Sequence, residues 1–181
     1  MDPLTLLGIK YGTDKALSHK FTEDYHRVFE PVRFEVKSVL EIGVCKGRSI
    51  KMWLDYFPNA IVSGIDAMDV ASYMPGHERA RFQQCAQSDY RASEVFDIII
   101  DDGSHQMRDQ QETFINLFQS WRLFYVLEDL HTSNNKDYGF DGTNSTIDFL
   151  REFQRKNEGS VNIEIITKKE DSITSIISRV P

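Results

Sequence analysis

The chain has 181 residues, with 21 Lys plus Arg against 28 Asp plus Glu and a formal net charge of −7. A single domain of this length buries roughly 70% of its unfolded surface, and 40% hydrophobic with 27% charged residues argues against a disordered, collagenous or coiled-coil chain. The acidic balance is a poor match for phosphate backbones and argues against a nucleic-acid partner, no apolar run reaches membrane-span length, and Cys45 and Cys85 make no disulfide framework, so the cytoplasm is the expected compartment.

In chain order, the apolar start Leu4–Ile9 is too short for a signal-peptide core. Residues 22–32 read as a helix with Tyr25, Val28 and Phe29 at helical spacing, expected at the sheet edge or over the mouth of the site. Ser38 to Ile42 is a buried strand ending at Gly43, and residues 47–57 form a helix with Ile50, Trp53, Leu54 and Phe57 inward. A second strand spans 60–66 and a weaker third 81–86. The fourth spans 95–100 and stops at Asp101-Asp102-Gly103. Residues 107–121 are expected to be helical, with Phe114, Leu117, Phe118 and Trp121 on one face. A fifth strand then covers 124–127, and a helix covers 145–157. Two late strands, 161–167 and 173–180, form an antiparallel edge pair joined by the charged turn 168–171. This alternation predicts an α/β domain with a mostly parallel sheet covered by helices on both faces. Ligands then bind beyond the carboxyl ends of the strands.

The turn Gly43-Val44-Cys45-Lys46-Gly47-Arg48-Ser49 lets a ligand approach the backbone. Counting from Gly43, the dinucleotide fingerprint fails at its third place, Cys45, and its sixth, Arg48. The phosphate-loop spacing fails as well. Asp66 at the end of the second strand can accept from ribose hydroxyls. A ribose grip without a pyrophosphate cradle suits a nucleoside, and S-adenosylmethionine is the obvious one. The same residues also suit a plain strand–helix turn with a surface acid.

Asp102, Glu128 and Asp129 follow neighbouring strands, and three carboxylates that close repel strongly when dry and unpaired. A hard divalent cation removes that penalty, and an all-oxygen set suits Mg²⁺. His105, three places beyond Asp102, is a natural general base. Asp109 stands one helical turn further on and could orient its ring. In the other reading Asp102 or Ser104 caps the next helix, His131 is solvated or packed, and both cysteines are core residues.

Taken together, several segments carry a resemblance. They are Tyr11-Gly12-Thr13-Asp14-Lys15 with His19 and Tyr25, Leu40-Glu41-Ile42-Gly43 with Gly47 and Ser49, Gly64-Ile65-Asp66, and Gln87-Ser88-Asp89. Asp101-Asp102-Gly103-Ser104-His105 and Glu128-Asp129-Leu130-His131-Thr132-Ser133 complete the set. The chain resembles the metal-dependent macrocin- and mycinamicin-type sugar O-methyltransferases, with cephalosporin 7-α-methoxylation proteins more distant. The resemblance implies a Rossmann-like class I methyltransferase fold, with a seven-stranded sheet and an antiparallel C-terminal edge. It implies S-adenosylmethionine held by Tyr11, Thr13, Glu41, Gly43, Gly47 and Ser49, with Asp66 on the ribose and Gln87 and Ser88 near the adenine. It further implies Mg²⁺ on Asp102, Glu128 and Asp129, and His105 as base toward a small-molecule hydroxyl acceptor, a sugar or glycosylated natural product. Residues 1–181 would form one domain, with 1–34 covering the cofactor, and a homo-oligomer is expected. A catechol or phenol acceptor, or a non-catalytic cofactor-binding module, is the alternative. The chain departs from its relatives at Ala86, Asp109, Asn134 and Trp121-Arg122-Leu123.

Overall fold

The structure is a computed structural model and describes residues 1–168 and 172–180. Three short helices come first: α1 (Pro3–Tyr11), α2 (Asp14–Leu17) and α3 (Thr22–Phe29). Asp2 caps α1 by accepting from the Thr5 amide at 2.8 Å, Pro3 opens it, and Gly12 ends it in the left-handed region. Strand β1 (Ser38–Ile42) leads to α4 (Arg48–Tyr56), then β2 (Ile61–Asp66), β3 (Ala80–Gln84) and β4 (Phe96–Asp101). Helix α5 (Met107–Leu117), β5 (Trp121–Leu127), α6 (Thr146–Lys156), β6 (Val161–Thr167) and β7 (Ile173–Arg179) complete the chain.

The strands form one seven-stranded sheet in the order β3-β2-β1-β4-β5-β7-β6. The first five are parallel, and β7 runs antiparallel to both β5 and β6. Consecutive residues of the central strands feed opposite cores. Val39, Ile98 and Ile100 pack with Trp53 and Phe57 on one face, and Leu40 and Ile99 pack with Phe114 and Tyr125 on the other. That is why these strands read as unbroken apolar runs. The strand order reverses between β1 and β4, and the loops after those two strands open the crevice.

Three expectations need correction. Helix α5 stops at Leu117, and Trp121 belongs to β5, paired with Phe96. The turn closes through the Ser120 amide donating to the Leu117 carbonyl at 2.8 Å. The helical spacing of apolar residues runs on to Trp121 because it faces the same core. Its ring lies 6.0 Å from that of Phe118, and the Arg179 guanidinium stacks on both. The segment at 22–32 is α3 plus a 3₁₀ turn over Glu30–Val32, so the helix itself stops at Phe29. It packs across the face of the sheet and reaches the expected edge, where Arg27 donates to Glu164 of β6 at 2.7 Å and the Tyr25 hydroxyl pairs with Thr174 of β7 at 3.0 Å. Phe29 packs within 5.5 Å of Phe124 and 6.2 Å of Trp53. Finally β3 runs 80–84, not 81–86, and is the edge strand beside β2. Positions 169–171 of the expected charged turn lie outside the described residues.

Candidate functional site

The site is built where the loops after β1, β2, β4 and β5 converge. Gly43, at φ +89°, lies directly under the loop after β4, and Gly103 packs on the Gln87 side chain. Asp66 organises the glycine turn. Its Oδ2 accepts from the Val44 and Cys45 amides, both at 3.0 Å, and its Oδ1 accepts from the Met68 amide at 2.9 Å. The expected ribose acceptor thus already serves three backbone donors, two of them on Oδ2, which leaves Oδ1 with lone-pair capacity for one more.

Two cavities meet at Gly43. The first, about 310 Å³, is lined by Gly12, Thr13, Asp14, Cys45, Ser49 and Asp102 among others. The second, about 240 Å³, is lined by Asp66, Gln87, Ser88, Gly103 and Ser104. Thr13, Gly43, Ser49, Asp66, Gln87 and Ser88 therefore line this space. Gln87 also fixes the floor, donating from Nε2 to Asp101 at 2.7 Å and accepting from the Ser104 amide at 3.0 Å. Gly47 supplies a left-handed turn at the start of α4, where a Cβ would meet the Tyr73 carbonyl at 2.5 Å. Like Gly47, two more expected cofactor contacts line neither cavity. Tyr11 donates its hydroxyl to Asp55 at 2.5 Å, on the α1–α4 side. Glu41 is fully buried beneath the first cavity, accepting from Ser49 Oγ at 2.7 Å and Trp53 Nε1 at 3.2 Å.

The acid cluster adjoins the first cavity through Asp102. Ligand atoms of Asp102, His105 and Asp129 lie within 4.8 Å of one another, a spacing open to a metal ion. Glu128, expected as a third ligand, stands outside that group and faces Lys15. Asp129 carries imidazoles on several sides. His105 Nε2 is 3.5 Å from its Oδ2, while His131 Nδ1 and His19 Nδ1 are 3.7 and 3.9 Å from its Oδ1. His131, read as solvated or packed, is thus part of the site. Asp109 does not touch the His105 ring but accepts from Ser104 Oγ at 2.6 Å. Nor does Asp102 cap α5. The Gln106 amide instead donates to Ser104 Oγ at 3.2 Å. Cys45, His105 and Asp129 all have φ between +50° and +58°, strain of about 1–3 kcal/mol each that gathers at this site.

Sequence reasoning missed the role of Lys15. Its side chain is 1% exposed, with Nζ 2.5 Å from Asp102 Oδ2, 3.0 Å from Glu128 Oε1 and 3.6 Å from Glu41 Oε1. Burial would depress its pKa, but the three carboxylates overcome this and hold it well above the usual value, so the ammonium is charged. Burial raises Asp102 and Glu128 against the pull of Lys15, and pushes Glu41 up to about 7. One ammonium does not neutralise this many acids. Asp129 Oδ1 is buried without a hydrogen-bond donor, and Glu128 Oε1 has only the shared Lys15 ammonium at 3.0 Å. Surplus negative charge, an orphaned carboxylate oxygen on Asp129 and an oxygen-rich donor set fit a hard divalent cation. A lone lysine in a short helix carries no spacing signal, so only its place in the Tyr-Gly-Thr-Asp-Lys segment could have pointed to it.

No protein-family model matches the chain. It is 36% identical over 152 residues to L-olivosyl-oleandolide 3-O-methyltransferase of Streptomyces antibioticus, covering 76% of this chain and 39% of that one. It is 35% identical over 153 residues to mycinamicin VI 2''-O-methyltransferase of Micromonospora griseorubida, covering 75% and 38%. A solved structure of MycE methyltransferase from the mycinamycin biosynthetic pathway, in complex with Mg, SAH and mycinamycin VI, superposes with a TM-score of 0.81 at 27% identity. That match covers 98% of this chain and 55% of the other. The chain thus spans about two-fifths of the length of the curated relatives it matches. Among the described residues no helix is long and apolar enough to cross a membrane. With its sheet order, its two-lobed cavity and the adjoining acid–imidazole cluster, the chain has the class I methyltransferase fold and resembles the macrocin- and mycinamicin-type sugar O-methyltransferases.

Proposed function

We propose that this chain is an S-adenosylmethionine- and Mg²⁺-dependent O-methyltransferase acting in the cytoplasm on a sugar hydroxyl of a glycosylated natural product. The observation that carries the reading is the junction at Asp102, which both lines the first cavity and belongs to the group with His105 and Asp129. The donor's amino-acid end belongs in the first cavity, with Thr13 and Ser49. Its nucleoside end belongs in the second, between Asp66, Gln87 and Ser88. Residues 1–181 act as one donor-binding domain, with the segment before β1 as its cover.

Bound S-adenosylmethionine supplies a methyl group on a sulfonium. Bound Mg²⁺, held by Asp102 and Asp129 with Glu128 behind them, would offset negative charge developing on the acceptor oxygen. His105 Nε2 takes the acceptor's proton, which makes a poor alcohol nucleophile competent. Thr132 Oγ1 sits between the Asp129 and His105 carbonyls, at 2.8 and 3.1 Å, and its one hydrogen serves the two loops there. Asp129 Oδ2 stands 3.5 Å from Nε2. The wall of cavity residues aligns the two reactants, which must approach to about 3–3.5 Å.

Two measurements test the reading. Calorimetry should show S-adenosylhomocysteine binding and no NAD binding. A panel of glycosides should yield S-adenosylhomocysteine from S-adenosylmethionine only with divalent metal present. Tight NAD binding without S-adenosylhomocysteine heat, or turnover confined to simple catechols, would overturn it. A homo-oligomer belongs to the same reading, since Leu6 and Ile9 expose about half their surface on α1. Light scattering that finds a monomer at every concentration would remove that part.

A further inference from the structure

Lys15 is the only Lys or Arg among the described residues that is buried. Its ammonium reaches carboxylates on three different strand ends: Glu41 in β1, Asp102 after β4 and Glu128 after β5. Its backbone is equally tied. Its amide donates to Thr13 Oγ1 at 3.2 Å, and its carbonyl accepts from the Phe21 amide at 2.9 Å. Thr13, Asp14, Leu17 and Ser18, around it in sequence, line the first cavity. The residue therefore joins two things that share no other side-chain link of this kind: the segment walling the donor cavity and the acids beside it.

We propose that Lys15 is a positioning residue with two opposed effects. As a tether it closes residues 12–18 over the donor cavity. As a resident cation it lowers the affinity of the neighbouring acids for a divalent ion. The geometry separates these effects by sign. Removing the ammonium frees the cavity wall, which weakens donor binding. It also leaves one more uncompensated negative charge beside Asp102, which strengthens the attraction of an incoming cation. A lysine that merely filled space would, when lost, weaken both.

The inference rests on the donor-and-metal reading above, and the experiment keeps the two apart. Mg²⁺ alone, and S-adenosylhomocysteine alone in chelator, are titrated calorimetrically into the wild-type chain and into Lys15→Met at mildly alkaline pH. Wild-type protein that binds neither overturns the donor-and-metal reading itself. If wild type binds both, Lys15→Met should bind Mg²⁺ about tenfold more tightly and S-adenosylhomocysteine about tenfold more weakly. Amide exchange should also speed up across residues 12–18. Parallel weakening of both ligands, or unchanged S-adenosylhomocysteine affinity, overturns the proposal. Where Lys15→Met does not fold, Lys15→Met combined with Glu41→Gln restores the net charge of the pair, and Glu41 is no part of the acid–imidazole group. That double variant should still bind S-adenosylhomocysteine weakly, and normal binding by it overturns the tether.

Discussion

Gly43 and Asp102 touch backbone to backbone: a Cβ built on Gly43 would stand 2.0 Å from the Asp102 carbonyl oxygen and 2.7 Å from its carbonyl carbon. The end of β1 and the end of β4 are therefore as close as two chains can come, and Asp102 owes its position to the missing side chain. Because the obstruction is backbone on both sides, no rotamer change relieves it. Gly43→Ala also places a side chain at φ +89°, which alone costs about 1–2 kcal/mol. The expected result is a stability loss above that figure in urea unfolding, together with loss of S-adenosylhomocysteine binding. Normal affinity in the variant would show that the two cavities tolerate separation of these strands.

Asp66 offers a different test, because its oxygens serve the protein before any ligand. Three amides donate to it, Val44 from a buried residue and Cys45 and Met68 from exposed ones that water can re-satisfy, so the loss of this acceptor costs about 1 kcal/mol. Asp66→Ala should thus weaken cofactor binding and also lower stability. Asp66→Asn, which keeps one carbonyl acceptor, should recover part of the stability. Thermal unfolding and calorimetry on both variants separate the loop role from the ribose role. Lost affinity with unchanged stability would leave only the ribose role.

Reading the sequence located the strands well because the central ones are buried on both faces and carry unbroken Val and Ile runs, as at Ile98-Ile99-Ile100. It misjudged Trp121 because a helix and the strand after it present their apolar residues to one core, and a turn of three residues does not interrupt the spacing. Within the site, residues whose type announces chemistry were legible: Asp102, His105 and Asp129 come together, although the expected set of acids also had Glu128 in it. What spacing could not provide was the partner of each acid. Glu128 and Glu41 turn toward an ammonium from a segment far away in the chain. That pairing depends on how α2 folds across three strand ends, which no local pattern encodes.

Glu41 gives a prediction in pH. Burial pushes its pKa up to about 7 from the usual 4.5, even with Lys15, Ser49 and Trp53 favouring the charged form. The folded state therefore holds this proton more tightly than the unfolded chain. Stability from this group is fully present below about 4.5 and is lost as pH rises toward about 7. At 1.36 kcal/mol per unit the total is on the order of 3 kcal/mol. Glu41→Gln keeps an acceptor for Ser49 or Trp53 and removes the titration. The difference between the wild-type and variant stability curves should slope across that window and flatten above it. A difference that is constant in pH would mean that Glu41 is ionised throughout, paired with Lys15.

His105 and Asp129 separate a base from a ligand. Both stand in the group whose atoms lie within 4.8 Å of one another, so geometry alone allows His105 Nε2 to bind metal or to accept a proton, but one nitrogen cannot do both at once. If His105 is the base, His105→Ala leaves Mg²⁺ affinity close to wild type and lowers the rate by about 10²–10⁴. Asp129→Asn keeps size but removes one negative charge, so it should weaken Mg²⁺ binding and cut turnover while leaving S-adenosylhomocysteine affinity nearly normal. The cofactor cavities are lined from the other strands. Chelator should abolish turnover in the wild type, and added Mg²⁺ should restore it. The measurements are calorimetric titration of Mg²⁺ into each variant and single-turnover methyl transfer to an accepted glycoside. Loss of Mg²⁺ binding in His105→Ala as large as that in Asp129→Asn would reassign His105 as a ligand. Another group would then have to take the proton, and His131 and His19, 3.7 and 3.9 Å from Asp129 Oδ1, stand nearest to that role. Full turnover in chelator would remove the metal altogether and leave His105 with the whole of the acid–base work.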